Sequence, residues 1–284
     1  MAGKCTYVTL SNGVQVPQLG IGTWEAKDGD EVVLNVKWAI NAGYRHIDTA
    51  DFYNNEGGVG KGIRECGVPR SDIFVTTKLW NCDHGYDNAM AAFERSRQAL
   101  GVEYVDLYLV HWPGPNRSYI ETWRAFEKLY EMKKVRAIGV SNFEPHHLDD
   151  LLANCSVPPM VNQVEMHPFF QQKALHAYCS EKNIAVTAWR PLGKGMLLKE
   201  PQLTELAAKH KKSPAQVIIR WLVQLGVIVI PKSSHEERIK ENFDIFDFEL
   251  SPEDMKALES MDKNSRLGSH PDTFFPTERN EGKT

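Results

Sequence analysis

Short apolar runs rich in β-branched residues alternate with longer stretches of helical period along nearly the whole chain, and this alternation limits the folds open to it. The runs end near Gly20, Asp48, Lys78, His111, Ser141, Gln163, Trp189 and Pro231, which makes eight strands. From Asp48 onward the steps are 30, 33, 30, 22, 26 and 42 residues. Each is long enough for a helix and two turns, as a parallel crossover requires. Amphipathic stretches at 31–41, 87–100, 119–132, 171–181 and 214–225 fill them, and only the last interval has room for an extra helix. Ahead of the first strand, residues 7–10 and 14–16 flank Ser11-Asn12-Gly13, a hairpin turn signal. Eight strand–helix units predict an α/β fold, a single closed (β/α)8 TIM barrel, with the hairpin plugging the N-terminal face of the barrel and an irregular C-terminal tail. At 284 residues the chain fits one such domain, 1–284, with a barrel core of about 17–266 and a tail at 267–284.

An open doubly wound sheet is the competing arrangement, and it calls for a glycine fingerprint after the first strand. Gly20-Ile21-Gly22-Thr23-Trp24 begins like one and then breaks the spacing, while Gly58-Val59-Gly60-Lys61-Gly62 has the wrong interval. Gly282-Lys283-Thr284 resembles the end of a phosphate loop, but Thr277 stands where its first Gly belongs. No H-x-x-x-H spacing occurs, so no catalytic zinc site and no metal are expected.

Charge and cysteines narrow the function classes. The 33 Lys and Arg stand against 37 Asp and Glu, interleaved along the chain, and no basic stripe marks a nucleic-acid partner. No apolar run reaches the roughly 18 residues of a membrane helix. Cys5, Cys66, Cys82, Cys155 and Cys179 are odd in number and lack C-x-x-C spacing, as expected of a cytoplasmic protein kept reduced. The sequons at Asn116 and Asn154 are therefore read as chance matches.

In a barrel of this kind, side chains at the C-terminal ends of the strands converge on one face. Asp48, Lys78 and His111 end successive strands, and Tyr53 follows Asp48 in its loop. Together they make one acid catalyst. A free phenol titrates near 10, too high for rapid proton donation at neutrality. A Lys ammonium beside it lowers that value, and a carboxylate holds the ammonium charged and in place. A neighbouring His can hydrogen-bond a carbonyl oxygen and orient it for attack by hydride.

These residues resemble the aldo-keto reductase superfamily. The segment 43–56, with Asp48 and Tyr53 inside it, is similar to the family's first signature, Leu109-Val110-His111-Trp112-Pro113 to its histidine strand, and Ile230-Pro231-Lys232-Ser233 to its last motif. The likeness runs from about Thr6 to Arg266 and implies that Asp48, Tyr53, Lys78 and His111 are the catalytic tetrad.

Lys232, Ser233 and Arg238 surround the start of a helix, which suits a phosphate. The resemblance makes it the adenosine 2′-phosphate, hence NADPH, with Glu241 and Asn242 at the adenine. It also places Ser141, Asn142 and Gln163 at the nicotinamide carboxamide, counts Gly22, Thr23 and Trp24 among the cofactor contacts, and stacks Trp189 on the nicotinamide where many relatives carry Tyr. Arg190 stands where a small residue is common, and a cation there either helps to bind the pyrophosphate or points to solvent.

Four Trp (Trp24, Trp80, Trp112, Trp189) fall at strand ends, so with Tyr53 and His111 they predict an aromatic substrate cleft for small carbonyl compounds. A short segment after His111 and a short tail predict that this cleft is open. The overall pattern is similar to protozoan prostaglandin F synthases and bacterial diketogluconate reductases, and it implies a monomer. Two other readings stand beside the reductase: a nucleotide-binding regulatory subunit without activity, and a barrel lyase using Lys78 as a Schiff base.

Overall fold

The computed structural model describes residues 5–278. Strands β1 (Tyr7–Thr9) and β2 (Gln15–Pro17) form the antiparallel hairpin, with Val8 opposite Val16. Eight parallel strands follow, each hydrogen-bonded to the next in chain order. They are β3 (Ile21–Gly22), β4 (His46–Asp48), β5 (Phe74–Leu79), β6 (Val105–Val110), β7 (Val135–Ser141), β8 (Val161–Glu165), β9 (Ala185–Trp189) and β10 (Ile228–Val229). The ring closes where Leu19 bridges Val229 and where Gly22 N–H donates to the Pro231 carbonyl at 3.1 Å. Three predicted strand ends move by two residues: the first strand stops at Gly22 rather than Gly20, the sixth at Glu165 rather than Gln163, and the last at Val229 rather than Pro231. The hairpin lies across the strand starts: Asn12 Nδ2 donates to the Arg136 carbonyl of β7 at 3.0 Å, and Gln18, just past the hairpin, donates through Nε2 to the Val227 carbonyl ahead of β10 at 3.1 Å.

Helices α1 (Asp30–Ala42), α2 (Glu56–Glu65), α3 (Tyr86–Leu100), α4 (Tyr119–Glu131), α5 (Pro145–Leu152), α6 (Lys173–Glu181), α7 (Pro201–His210), α8 (Pro214–Gln224), α9 (Glu236–Phe243) and α10 (Pro252–Glu259) accompany the strands. The long interval before β10 holds both α7 and α8, the extra helix the spacing allowed. β5 and β6 are buried at every residue because one face meets the barrel interior and the other meets helices. Local chemistry sets the helix starts. Ser213 and Gln216 form a reciprocal capping box with Pro214 in the first turn of α8, and Ser251 with Asp254 repeats it at α10.

The glycines at 58, 60 and 62, which look like a nucleotide fingerprint in sequence, pack α2 against its neighbours. A Cβ on Gly58 would lie 2.3 Å from Val32, one on Gly62 2.8 Å from Val36, and one on Gly60 2.0 Å from the Leu100 carbonyl oxygen. The last contact is backbone and cannot turn aside. Gly60→Ala is therefore expected to cost about 3 kcal/mol, the upper end of overpacking penalties, and to lower the thermal midpoint while leaving cofactor affinity intact. A variant melting with the wild type would show that α2 can move away freely.

Past α10 the chain is irregular, as expected of the tail, with Gly282-Lys283-Thr284 outside the described residues. Among the described residues no helix is long and apolar enough to cross a membrane.

Candidate active site

At the C-terminal ends of the strands, a buried ion pair forms the floor of a cleft of about 1150 Å³. Asp48, the last residue of β4, accepts from Lys78 Nζ at 2.6 Å through one carboxylate oxygen and from Gln163 Nε2 at 2.7 Å through the other. Lys78 in β5 is fully buried; its ammonium also donates to the Thr49 carbonyl at 2.8 Å and to the Tyr53 hydroxyl at 3.1 Å. Tyr53 closes a short 3-10 turn, Asp51–Tyr53, which ends on Asn54 with a left-handed φ of 52° and so lifts the phenol over the ammonium. His111, one residue past β6, sets its ring edge-on to Tyr53 with centroids 5.7 Å apart. Its Nδ1 is buried with no hydrogen-bond partner among the described residues.

Burial and charge fix the protonation states. Burial would pull the Lys78 ammonium down, but Asp48 and Tyr53 outweigh it and hold the group above its ordinary value. Burial, then the Lys78 charge, push His111 well below the usual imidazole range, so the ring is neutral. Tyr53 corrects the sequence expectation: burial raises the phenol more than Lys78 lowers it, and the net shift is upward. The phenol therefore keeps its proton at neutrality and has a cation waiting to stabilise its anion.

The remaining predicted residues surround this floor. Asn142, held at φ 63°, donates to the His111 carbonyl at 2.9 Å and accepts from Trp189 Nε1 at 2.9 Å, while the Ser141 hydroxyl donates to the Gln163 carbonyl at 2.7 Å. Gly22 and Trp24 line one wall. Thr23 does not reach the cleft: it is buried behind Asp48, with its hydroxyl 3.2 Å from the Asp48 carbonyl and 3.5 Å from Asn55 Oδ1, so its side chain supports the floor instead. Arg190, half-buried, lines the cleft with its guanidinium 5.1 Å from the Trp189 ring centroid.

At the far end, Lys232, Ser233, Arg238, Glu241 and Asn242 share the same cleft. Lys232 Nζ donates to the Ser234 hydroxyl at 2.8 Å, Ser233 Oγ accepts the His235 N–H at 3.2 Å, and Arg238 in the first turn of α9 has no carboxylate in ion-pair range among the described residues.

Trp24, Trp80, Trp112, Tyr53 and His111 all line the same cleft. Sequence reasoning missed Phe52, which stacks on Trp80 at 3.8 Å and on Trp24 at 5.5 Å, although it lies beside Tyr53 in the first signature. It also missed the tail. Phe274 sits 4.6 Å from Trp112, and Trp80 Nε1 donates to the Glu278 carbonyl at 3.0 Å, so the expectation of an open cleft is corrected: the tail covers its substrate end. A further missed residue is Glu165, whose two oxygens accept the Leu267 and Gly268 N–H groups at 2.7 and 2.8 Å and bring that segment against Trp189. No signal in an irregular polar tail marks these contacts in advance.

The geometry has its counterpart in known proteins. The model of the Aldo/keto reductase family matches residues 18–263, most of the chain. The chain belongs to the aldo/keto reductase family. It is 58% identical over 278 residues to the 9,11-endoperoxide prostaglandin H2 reductase of Trypanosoma cruzi, covering 96% of this chain and 98% of the relative. Glyoxal reductase of Bacillus subtilis is 54% identical over 268 residues, covering 94% and 97%. Among solved structures, a mutant of Gox0644 in complex with NADPH superposes with a TM-score of 0.91 at 46% identity, covering 95% of this chain and 98% of that one. An aldo/keto reductase is thus an oxidoreductase here on a fold and family footing, and the (β/α)8 barrel read from the sequence stands.

Proposed function

We propose that this aldo/keto reductase reduces aldehydes and ketones with NADPH, with Tyr53 as general acid, in a single barrel domain that works as a cytosolic monomer. The observation that carries this reading is the phenol of Tyr53 at the cleft floor, 3.1 Å from an ammonium that Asp48 locks in place at 2.6 Å. The cleft fits the cofactor: an exposed Arg238 with no carboxylate partner among the described residues lies at a helix start, and Trp189, Asn142 and Gln163 line the same cleft as Tyr53. When bound, NADPH supplies the hydride. His111, neutral and beside Tyr53, hydrogen-bonds the carbonyl oxygen and aims it. As charge develops on that oxygen, Tyr53 passes it the phenolic proton, and Lys78 stabilises the phenolate until solvent returns a proton.

Ser141, Asn142 and Gln163 orient the carboxamide, Trp189 carries the nicotinamide, Gly22 and Trp24 bound it, and Arg190 is directed to the pyrophosphate. Lys232, Ser233 and Arg238 take the 2′-phosphate, and Glu241 with Asn242 the adenine. The substrate end, walled by Trp24, Phe52, Trp80, Trp112 and Phe274, suits flat apolar carbonyls. Reduction of a prostaglandin endoperoxide, whose O–O bond would take one hydride and one proton to give two hydroxyls rather than add hydride to a carbonyl, is the finer proposal, supported by the trypanosomal relative. The Schiff-base alternative loses its basis, since an ammonium with three acceptors and a raised pKa is a poor nucleophile. Nothing in the complete acid site favours a silent regulatory subunit.

NADPH consumption against a panel of aldehydes, quinones and a prostaglandin endoperoxide tests the activity, and consumption with none of them would overturn it. Cofactor choice has its own test. A 2′-phosphate carries close to two negative charges, and each charge-assisted contact is worth about 1.5 to 3 kcal/mol. Arg238→Ala should therefore weaken NADPH roughly tenfold to a hundredfold and leave NADH within a few fold. Titration by Trp fluorescence reads both, and equal losses would move the phosphate contact elsewhere.

A further inference from the structure

Away from the reaction centre, Asp272 in the tail meets two consecutive histidines at the start of α5. Its Oδ1 lies 3.1 Å from His146 Nε2 and 3.5 Å from His147 Nε2, and the three atoms are all within 4.8 Å of one another. Among the described residues this is the only such group of three His, Cys, Asp or Glu side chains. Consecutive helical residues point about 100° apart, so their convergence on one carboxylate needs an outside cause. The rings of Tyr119 and Phe143 pack on His147 with centroids 6.1 and 5.6 Å away and fix it, while His146, 61% exposed, folds over it at 4.0 Å.

A tetrahedral ion with ligands at about 2.0 to 2.1 Å sets those ligands about 3.3 Å from each other. The two observed separations bracket that edge. We propose that His146, His147 and Asp272 bind a divalent transition-metal ion of the zinc class, with water completing the open, solvent-facing position, and that the ion fastens the tail to α5.

Nδ1 of His147 accepts the Glu144 backbone N–H at 3.2 Å, so in the metal-free protein its ring proton sits on Nε2, toward Asp272. Metal binding takes Nε2 and moves that proton to Nδ1, exchanging one helix-capping bond for a metal–nitrogen bond. Three ligands and that exchange place the site among weaker, reversible centres rather than closed structural ones. Its consequence reaches the cleft, because the same tail segment carries Phe274 onto Trp112 and the Glu278 carbonyl onto Trp80.

Cobalt(II) is the probe, since a tetrahedral site of nitrogen and oxygen ligands gives it a visible absorption independent of any reaction. Full-length protein freed of any affinity tag, titrated without cofactor, should show saturable absorption at one ion per chain. His146→Ala and Asp272→Ala, both at largely exposed side chains, should keep the fold and weaken that binding roughly tenfold or more. Absence of saturable absorption, or equal absorption in both variants, overturns the site; the comparison also separates it from the free cysteines. Chymotryptic cleavage after Phe274 should slow several-fold with saturating cobalt in the wild type and not in His146→Ala. An unchanged cleavage rate in the metal-saturated wild type overturns the fastening of the tail.

Discussion

Tyr53→Phe is expected to bind NADPH within a few fold of the wild type and to lose carbonyl reduction by more than the roughly 10² to 10⁴ typical of one acid catalyst. The excess follows from the chemistry of the step, because hydride transfer without a proton leaves a bare alkoxide. Stability should change little. Lys78 keeps its bonds to Asp48 and the Thr49 carbonyl when the phenolic oxygen is removed, and no cavity opens. Burial keeps the phenol protonated and the His111 ring neutral, so the wild-type kcat/KM for reduction should stay level from about pH 6 to 9. The signs agree: Tyr53 gives up its proton only above its ordinary range, and His111 gains one only below its own. A pH profile and single-turnover rates with a reactive aromatic aldehyde read both effects, and near-normal turnover in the variant would remove Tyr53 from the mechanism.

Lys78→Met should be as damaging to the fold as to the reaction. Lys78 is fully buried and Asp48 is 1% exposed, so removing the cation leaves a buried carboxylate with only the Gln163 amide against it. Breaking a buried pair from one side costs about 3 to 5 kcal/mol, most of it the uncompensated charge that remains. Joining Lys78→Met with Asp48→Asn should recover most of that stability, because both charges are then gone and the shape is kept. Activity should not recover, since the ammonium that stabilises the Tyr53 anion is still absent. Denaturant midpoints for the two single variants and the double variant test the coupling. A double variant as unstable as the sum of its parts would mean that Lys78 matters through packing of its stem rather than through its charge.

Much of the site was legible because it is written into strand ends. Once the alternation of strands and helices is read as a parallel barrel, Asp48, Lys78 and His111 must come to one face, since the C-terminal ends of all strands share it. The stretch read from residue 214 does begin a helix, α8, while α10 went unread although Ser251 and Asp254 cap it locally. Strand boundaries drifted by about two residues, because the point where a ladder of hydrogen bonds stops depends on which neighbour closes the ring, and that neighbour is far away in sequence.

Periodicity along the chain was enough to define the barrel, the hairpin at its N-terminal face, and the set of side chains gathered at the mouth, because it acts over a few residues at a time. Four features came only from contacts made in the folded chain. Folding packed the glycines of α2 against α1 and the Leu100 backbone; it turned Thr23 behind Asp48; it made burial outweigh the Lys78 charge at Tyr53; and it drew the tail across Trp80 and Trp112. Each is a contact or a desolvation between segments tens to hundreds of residues apart. Their energy depends on what surrounds a group in space, and a local pattern of residue types carries no record of that.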